Sequence, residues 1–384
     1  MKEAPPVATR RTVLRRVLQI GGAVLAAPMI NLGRYAVAGS TTRKYSARAI
    51  RLVNETQCVD LKHALSLNPG ELQRWLTQVG AFDAEARAQF QRTGLKIMQT
   101  TLETDPNVLL DHAWHNGFIA AHSDTFFRVD APAALERRKD GRIGIILGCE
   151  NSEHFSVVDD VDRFYALGQR VSQLTYNAQN RLGAGSTERV DGGLSDYGAA
   201  IVERMNAVGM AVDLSHCGAR TTLDAIAASR KPVLFTHATA RALNASHPRT
   251  KTDEAIRKLA AGGGVMGIAF LRVFARDQEP TTIEHVLDHF DHVVRIAGVE
   301  HVAVGSDLAL YGYDALPRDV VAASKATLKP GSYGFREKDD IEGLDHPERL
   351  FDLTEGLVRR GYGDSDIGLM LGGNALRALR AIWI

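Results

Sequence analysis

The chain has 384 residues, of which 45% are hydrophobic and 24% are charged, as in an ordinary globular protein. This composition excludes a disordered or collagen-like chain, and three cysteines are too few for a disulfide scaffold. Because 46 basic residues are balanced by 45 acidic ones, the sequence carries no positive field for nucleic acid, and we expect no nucleic-acid partner.

Residues 1–38 have the features of an export signal. Arg10 and Arg11 precede an apolar run of small residues over 17–32, and a small-x-small pattern follows at 36–38. The pattern resembles a twin-arginine signal peptide, and the run is too short and too rich in Gly and Ala for a membrane span. We therefore predict a cleaved signal, a periplasmic protein and no stable membrane insertion after cleavage, with an uncleaved N-terminal anchor as the alternative.

Apolar runs of strand length alternate with amphipathic stretches along the rest of the chain. The predicted strands lie at 57–61, 94–101, 143–149, 170–175, 210–214, 232–235, 265–270 and 301–304. The predicted helices include 196–208, 219–229, 282–297, 350–361 and 364–382. Eight strand and helix pairs predict an α/β fold, a (β/α)8 barrel of the TIM type with extra C-terminal helices.

We predict a single domain over residues 39–384, because no repeat, low-complexity block or linker divides this part of the sequence. A doubly wound open sheet is the alternative architecture. It is disfavoured because the first predicted strand is not followed by a glycine-rich phosphate turn.

Most of the predicted strands end at a polar side chain, and in this fold the active-site groups follow the C-terminal ends of the strands. The polar residues at these ends are Asp60, Lys62, Glu150, Tyr176, His216, His237 and Asp307. One carboxylate and two imidazoles are the ligand set of a catalytic zinc that keeps a fourth position for water. Glu150, His216 and His237 are therefore predicted metal ligands, and a bound ion would allow amide hydrolysis without a side-chain nucleophile.

Two cysteines flank the predicted ligands. Cys149 precedes Glu150 and Cys217 follows His216. Because neighbouring residues of a strand point to opposite sides, we expect both cysteines to be packed thiols.

A series of motifs follows in order over residues 50–384. They are Leu174-Thr175-Tyr176-Asn177, Gly193-Leu194-Ser195-Asp196, Val212-Asp213-Leu214-Ser215-His216, Thr236-His237-Ala238, His247-Pro248-Arg249, Gly305-Ser306-Asp307 and Gly372-Gly373-Asn374. The series resembles the membrane dipeptidase (renal dipeptidase) family of zinc metallopeptidases. The resemblance implies a (β/α)8 barrel with a two-metal site that hydrolyses dipeptides, and homodimers are common in that family.

The resemblance also implies roles for individual residues. Glu150 matches the carboxylate that bridges two metals, and His216 and His237 match the ligands of one of them. Arg249 matches the residue that binds the C-terminal carboxylate of the substrate, and its planar fork suits a carboxylate. Asp307 matches the acid/base group that serves the attacking water and the leaving amine.

Two positions depart from the family pattern. The family carries His-x-Asp at the end of the first strand, which ligates the second metal, whereas this chain has Lys62 and Ala64 there. His63 is one residue out of phase and should face away from the mouth of the barrel. Tyr176 stands where the family has a histidine that contacts the substrate, and its phenol can still donate one hydrogen bond.

These departures predict one zinc ion rather than two. The ammonium of Lys62 would lie beside Glu150 and replace part of the charge of the missing ion. A site without metal, held by a Lys62–Glu150 ion pair, stays open as an alternative.

Three functions follow from this sequence. The first is a periplasmic metallo-dipeptidase that cleaves dipeptides or short peptides with an altered site. The second is a tailoring enzyme that acts on a secreted peptide or siderophore precursor by non-hydrolytic chemistry or limited cleavage. The third is a non-catalytic peptide-binding relative. Loops at 101–116 and 314–334 are expected to shape the pocket in each case.

Overall fold

The computed structural model describes residues 34–36, 44–102, 107–136, 140–326 and 336–384. Its strands are β1 (Arg34–Ala36), β2 (Lys44–Ser46), β3 (Val59–Asp60), β4 (Ile97–Leu102), β5 (Phe126–Arg128), β6 (Ile143–Cys149), β7 (Gln169–Gln173), β8 (Ala211–Asp213), β9 (Leu234–Ala238), β10 (Val265–Ile268) and β11 (Val302–Val304). Apart from β1, β2 and β5, each of these strands overlaps a predicted one.

The α-helices surround the sheet. They are α1 (Ala47–Glu55), α2 (Pro69–Thr77), α3 (Ala84–Arg92), α4 (Val108–Ala121), α5 (Asp160–Ala166), α6 (Asp196–Val208), α7 (Ala219–Ala228), α8 (Asp253–Ala261), α9 (Arg272–Ala275), α10 (Ile283–Ala297), α11 (Arg318–Ala326), α12 (Arg349–Arg359), α13 (Asp364–Gly368) and α14 (Asn374–Ile382). Among the described residues, no helix combines the length and the apolar character needed to cross a membrane.

Eight parallel strands close into a barrel, which confirms the predicted fold class. The sheet runs in the order β4, β3, β11, β10, β9, β8, β7, β6, and the pairing of β4 with β6 closes it. All seven residues of β6 are buried, because a parallel strand has helices on one face and the barrel interior on the other. The continuous apolar runs of the sequence are the result of this double burial.

The short strand β5 was not predicted. It pairs with the start of β6 outside the closed barrel, with Phe126 opposite Ile143. The strand has three residues, of which only one is buried. Such a short segment has no periodic pattern of apolar residues that could reveal it in the sequence.

The loop predicted over 101–116 is partly wrong, because α4 occupies Val108–Ala121. Helix α11 likewise occupies Arg318–Ala326 within the loop predicted over 314–334. Asn107 is the N-cap residue of α4, although its side chain makes no capping hydrogen bond; Asn before an apolar stretch is a helix start signal that the sequence analysis did not use. Of these two predicted loops, residues 103–106 and 327–334 lie outside the described residues.

The signal predicted over 1–38 falls almost entirely outside the described residues. Of this segment the structure describes residues 34–36, which form β1 and pair antiparallel with β2. The export signal and the domain boundary at residue 39 stay predictions.

Helix α14 closes the end of the barrel at which the strands begin. Leu376, Leu379 and Ile382 pack in one apolar cluster with residues of all eight barrel strands. The Asn374 side chain fixes the helix by donating to the carbonyl oxygen of Val302 at 2.8 Å. The chemically active end is therefore the opposite one.

The helix predicted over 364–382 is interrupted by a π-helical turn at Leu369–Gly373. A Cβ atom on Gly372 would come within 2.0 Å of the Gln57 carbonyl oxygen. This turn brings the C-terminal backbone against the start of β3, and a side chain at residue 372 would prevent that contact.

Candidate active site

The predicted site residues lie together at the C-terminal ends of the barrel strands. Glu150 follows β6, and His216 lies three residues after the end of β8. His237 is the penultimate residue of strand β9, whereas Lys62 and Asp307 follow the neighbouring strands β3 and β11. Because the strands are parallel, side chains far apart in sequence meet at one mouth.

Glu150, His216 and His237 form the ligand cluster, in which each residue offers one atom within 4.8 Å of the others. The two Nε2 atoms of His216 and His237 are 2.9 Å apart. Oε1 of Glu150 lies 3.2 Å from Nε2 of His237 and 3.6 Å from Nε2 of His216. Three donor atoms therefore point to a common centre.

The partners on the far side of each ring set the tautomer of both imidazoles. Nδ1 of His216 is 2.7 Å from the side-chain carbonyl oxygen of Asn177, which only accepts. Nδ1 of His237 is 2.8 Å from the hydroxyl of Thr236, which gives its own hydrogen to Asp213 at 2.7 Å. Both Nδ1 atoms are therefore donors, so both Nε2 atoms carry lone pairs that face the centre.

This arrangement fits a metal ion. Burial, followed by the charge of Arg249, lowers the pKa of both His216 and His237 well below the usual value, so both rings are neutral. Two neutral rings that face each other with lone pairs at 2.9 Å repel unless a cation lies between them. Two imidazole nitrogens and one carboxylate oxygen are a donor set suited to zinc.

Lys62 lies on the other side of Glu150. Its Nζ is 3.5 Å from Oε2 of Glu150 and 3.7 Å from Oδ1 of Asp307, and the residue is only 6% exposed. Burial raises the pKa of Glu150, but the neighbouring charges, of which Lys62 is the largest contributor, together outweigh burial and the net shift of the pKa is downward. Glu150 is therefore a carboxylate, available to a cation on each side.

The local backbone fixes Lys62 next to Asp307. The carbonyl oxygen of Lys62 accepts the backbone N–H of Asp307 at 2.9 Å. The carboxylate of Asp60 accepts the backbone N–H groups of Lys62 and Ser306 at 3.1 and 2.9 Å. Asp60 thus joins the ends of β3 and β11, and its carboxylate is occupied by these hydrogen bonds.

His63 points away from the mouth of the barrel, as predicted. Its ring lies against Phe90, with ring centroids 6.2 Å apart.

Asp307 is a buried carboxyl group with a perturbed pKa. Burial raises the pKa to about 6, although the charges of Lys62 and Arg249 act in the opposite direction. Its Oδ2 is 3.9 Å from Nη1 of Arg249 and its Oδ1 is 4.0 Å from Nε2 of His237. Its backbone has a φ of 61°, a left-handed conformation that few non-glycine residues adopt. The strained backbone holds the carboxyl group over the cluster.

Arg249 and Tyr176 border the same mouth. Arg249 is 3% exposed, its guanidinium lies 4.3 Å from the ring centroid of Phe274, and it donates to the carbonyl oxygen of His237. Tyr176 is 39% exposed and stacks on His216 with ring centroids 4.3 Å apart. A buried cation and an accessible phenol therefore lie on the rim of the ligand cluster.

The sequence analysis missed two residues that support the ligands, Asn177 and Lys251. Asn177 belongs to the quoted motif after β7, but the sequence did not show that it orients His216. Lys251 is 3% exposed, and its Nζ donates to the carbonyl oxygens of Leu214 and Cys217 at 2.6 and 3.0 Å. These carbonyls lie on either side of His216. No sequence signal reveals this contact, because it joins two loops 34 residues or more apart.

Tyr313 was also missed. Burial raises the pKa of its phenol well above the usual value, and the negative charges of Asp307 and Glu150 raise it further. The phenol therefore lies in the field of both carboxylates. The sequence analysis had assigned this region only a general role in shaping the pocket.

A closed parallel barrel with this donor set at the C-terminal ends of its strands defines the architecture of metallo-dependent hydrolases. The family model described as membrane dipeptidase (Peptidase family M19) matches residues 109–327, more than half of the chain. The chain belongs to this family, which confirms the resemblance. The matched region contains the ligand cluster, Arg249 and Asp307, whereas Lys62 lies before it.

Individual relatives agree with this assignment. "Dipeptidase verJ" of Clonostachys rogersoniana is 35% identical over 248 residues, which are 64% of this chain and 56% of that protein. The chain thus spans about half the length of the curated relatives it matches. An amidohydrolase from Pseudomonas aeruginosa has a TM-score of 0.75 and 26% identity, over 87% of this chain and 99% of the other. The probable dipeptidase PvdM from the same organism shares the fold, with a TM-score of 0.69 and 18% identity over 87% of this chain and 97% of the other.

Proposed function

We propose that the protein hydrolyses an amide bond of short peptides with one divalent ion, zinc being the ion that suits the donors. The observation that carries this proposal is the meeting of two Nε2 lone pairs and a carboxylate oxygen at the ligand cluster. Lys62 supports a one-ion site, because its ammonium lies 3.5 Å from the second oxygen of Glu150. A second ion beside that oxygen would be repelled by this charge.

Glu150, His216 and His237 would hold the ion. When bound, a divalent ion polarises the amide carbonyl and lowers the pKa of water. Asn177 and Thr236 keep the two imidazoles in the tautomer that ligates.

Asp307 would act as the acid/base group. A pKa of about 6 leaves it ionised at neutral pH and able to accept a proton from water. The same group can then return the proton to the leaving nitrogen, because its pKa is close to the working pH. Its Oδ1 is 4.0 Å from a ligand nitrogen, which places the carboxyl group beside the reacting atoms.

Arg249 and Tyr176 would position the substrate. Nε of Arg249 is buried and has no hydrogen-bond partner among the described residues, so the guanidinium keeps an unsatisfied donor beside the cluster, and its planar fork suits a substrate carboxylate. Tyr176 presents an accessible phenol that can donate to the oxygen on which negative charge develops. The roles proposed from the sequence are thus compatible with these positions.

The proposal has a second part, the location of the protein. We propose export to the periplasm by the twin-arginine route, which the pattern at residues 9–38 supports. Fractionation of cells that express the full chain, and of cells that express Arg10→Lys/Arg11→Lys, tests it. The proposal predicts periplasmic protein for the first chain and cytoplasmic precursor for the second.

Metal content and hydrolysis test the enzymatic part. Natively produced protein should contain about one equivalent of zinc, and less than about 0.2 equivalents would contradict the three-ligand site. A panel of L-L and L-D dipeptides should release amino acids. Asp307→Asn should reduce kcat/KM by at least about 100-fold with unchanged metal content.

Asp277→Asn is the matched control, because Asp277 is exposed and outside the cluster. It should keep the activity of the wild type. Full activity of Asp307→Asn would remove Asp307 from the mechanism. Failure to release any amino acid at micromolar enzyme, from the dipeptides and from N-acyl amino acids alike, would contradict hydrolysis itself.

A further inference from the structure

The charges around the ligand cluster are already paired with one another. Both Glu150 and Asp307 face the ammonium of Lys62, at 3.5 and 3.7 Å. Asp307 also faces the guanidinium of Arg249 at 3.9 Å. Two carboxylates are thus shared by two buried cations, and one oxygen of Glu150 belongs to the ligand cluster as well. Neither carboxylate is left to neutralise a further positive charge.

A free dipeptide would bring such a charge close to the reacting carbon. Its α-amino nitrogen is two bonds from the scissile carbonyl carbon, so the two atoms are only about 2.5 Å apart. The carbonyl must reach the ligand cluster and must lie within reach of Asp307. Because Lys62 lies 3.5 Å from Glu150 and 3.7 Å from Asp307, an amino group that is turned toward these two carboxylates comes within on the order of 5 Å of its ammonium.

At neutral pH a peptide α-amino group is largely protonated. Two like charges at this separation in a partly buried site repel strongly. An acyl group without the amino group occupies the same space at no electrostatic cost. The repulsion therefore acts on one class of substrate and spares the other.

We propose that the site takes amides whose acyl part carries no positive charge, such as N-acyl amino acids, and that Lys62 is the specificity-determining residue against free dipeptides. This inference rests on the hydrolase function proposed above and names the substrate class of that same site. The free carboxylate of the amino acid part is retained, because Arg249, to which the proposed function assigns that carboxylate, is unaffected by the change in the acyl part. The disfavoured group is the amino terminus alone.

The test uses two substrates of equal shape. In N-isobutyryl-L-alanine a methyl group replaces the ammonium of L-alanyl-L-alanine, and the D-alanine pair covers the other stereochemistry. The ratio of kcat/KM for the acyl substrate to that for the dipeptide is measured at pH 7 for the wild type and for Lys62→Met. A unit charge on the order of 5 Å from another at an effective dielectric constant of 20 predicts that this ratio falls about 100-fold in Lys62→Met.

The comparison of ratios removes effects that act on both substrates alike. The greater intrinsic reactivity of a carbonyl beside an ammonium cancels, as does a partial loss of folded or metal-loaded enzyme. Lys258→Met removes an exposed lysine paired with Glu254 at 2.9 Å and should leave the ratio unchanged. Lys62→Gln is the second variant if Lys62→Met does not fold.

The outcomes are distinct. A ratio that changes less than about tenfold in both Lys62 variants overturns the inference and leaves the hydrolase proposal intact. If the variants are inactive, calorimetric dissociation constants for phosphinate analogues of the two substrates give the same ratio. Failure of the wild type to hydrolyse either substrate or to bind either analogue contradicts the proposed function, and this inference with it.

Discussion

The role of Lys251 in holding His216 can be tested by Lys251→Met. Its ammonium donates to the carbonyl oxygens of Leu214 and Cys217 and, at 3.3 Å, to the hydroxyl of Thr222. Backbone hydrogen bonds of 2.8 Å to Thr239 and Arg241 fix Lys251 itself at the end of β9. The side chain therefore joins the loop after β9 to the turn that carries His216, one of the proposed metal ligands.

The magnitude follows from these contacts. Methionine fills most of the space but donates no hydrogen bond, and buried acceptors without a donor cost about 1 to 3 kcal/mol each. Two effects reduce this loss. Each carbonyl keeps a second donor, which is the N–H of Cys217 for the Leu214 carbonyl and the Thr222 hydroxyl for the Cys217 carbonyl. In addition, the variant no longer bears the cost of burying an ammonium. We therefore expect a loss of about 2 kcal/mol in the free energy of unfolding. Zinc affinity should fall about tenfold, because the turn around His216 is no longer fixed.

The assay pairs urea unfolding of the metal-free protein with chelator competition for zinc. Lys258→Met is the control, since an exposed ion pair within one helix contributes less than about 0.5 kcal/mol. Reduced stability with wild-type zinc affinity would show that Lys251 stabilises the fold without positioning His216. Wild-type stability and wild-type zinc affinity in Lys251→Met would show that Lys251 neither stabilises the fold nor positions His216.

Three further predictions concern packing and ionisation. Gly305→Ala should cost at least about 3 kcal/mol of unfolding free energy, because its Cβ would lie 1.8 Å from the Thr236 carbonyl oxygen. Gly262→Ala, at a site with enough space for a Cβ, is the control, and equal urea midpoints for the two variants would contradict the predicted clash. All three cysteines are free and buried, and burial raises their pKa values. A thiol reagent should therefore label the native protein slowly and the denatured protein at three sites, and fast labelling of the native protein would disprove the burial. Burial lowers the pKa of Lys251 from 10.5 to about 8, so the native state binds fewer protons than the unfolded state between these values. The unfolding free energy of the wild type should therefore rise relative to Lys251→Met as the pH rises through this window, and parallel curves would contradict that sign.

The sequence predicted the barrel because burial on both faces leaves a direct trace in composition. The seven apolar residues of β6 were predicted with their observed bounds, and so was α6, which starts after the capping side chain of Ser195 and ends at Gly209 with a φ of 81°. Such elements are specified by local residues. The turn at Leu369–Gly373 is not, because it exists only where the C-terminal backbone meets Gln57.

The same distinction applies to the site. Strand ends indicated which side chains would share the mouth, since parallel strands point the same way. The hydrogen bonds that orient these side chains come from other loops, as with Asn177 at His216. A single sequence holds no record of such pairs, so their discovery required the three-dimensional structure.

The position of helix α14 affects the folding of the newly synthesised chain. The apolar interior at the end of the barrel where the strands begin, with residues from Val59 to Ala303, is covered by α14, whose residues are translated near the end of the described chain. Until they dock, water reaches the interior of an otherwise assembled sheet, and the nascent barrel is a target for chaperones and proteases. We expect loss of residues 374–384 to appear as degradation or aggregation of the product rather than as a folded enzyme of lower activity.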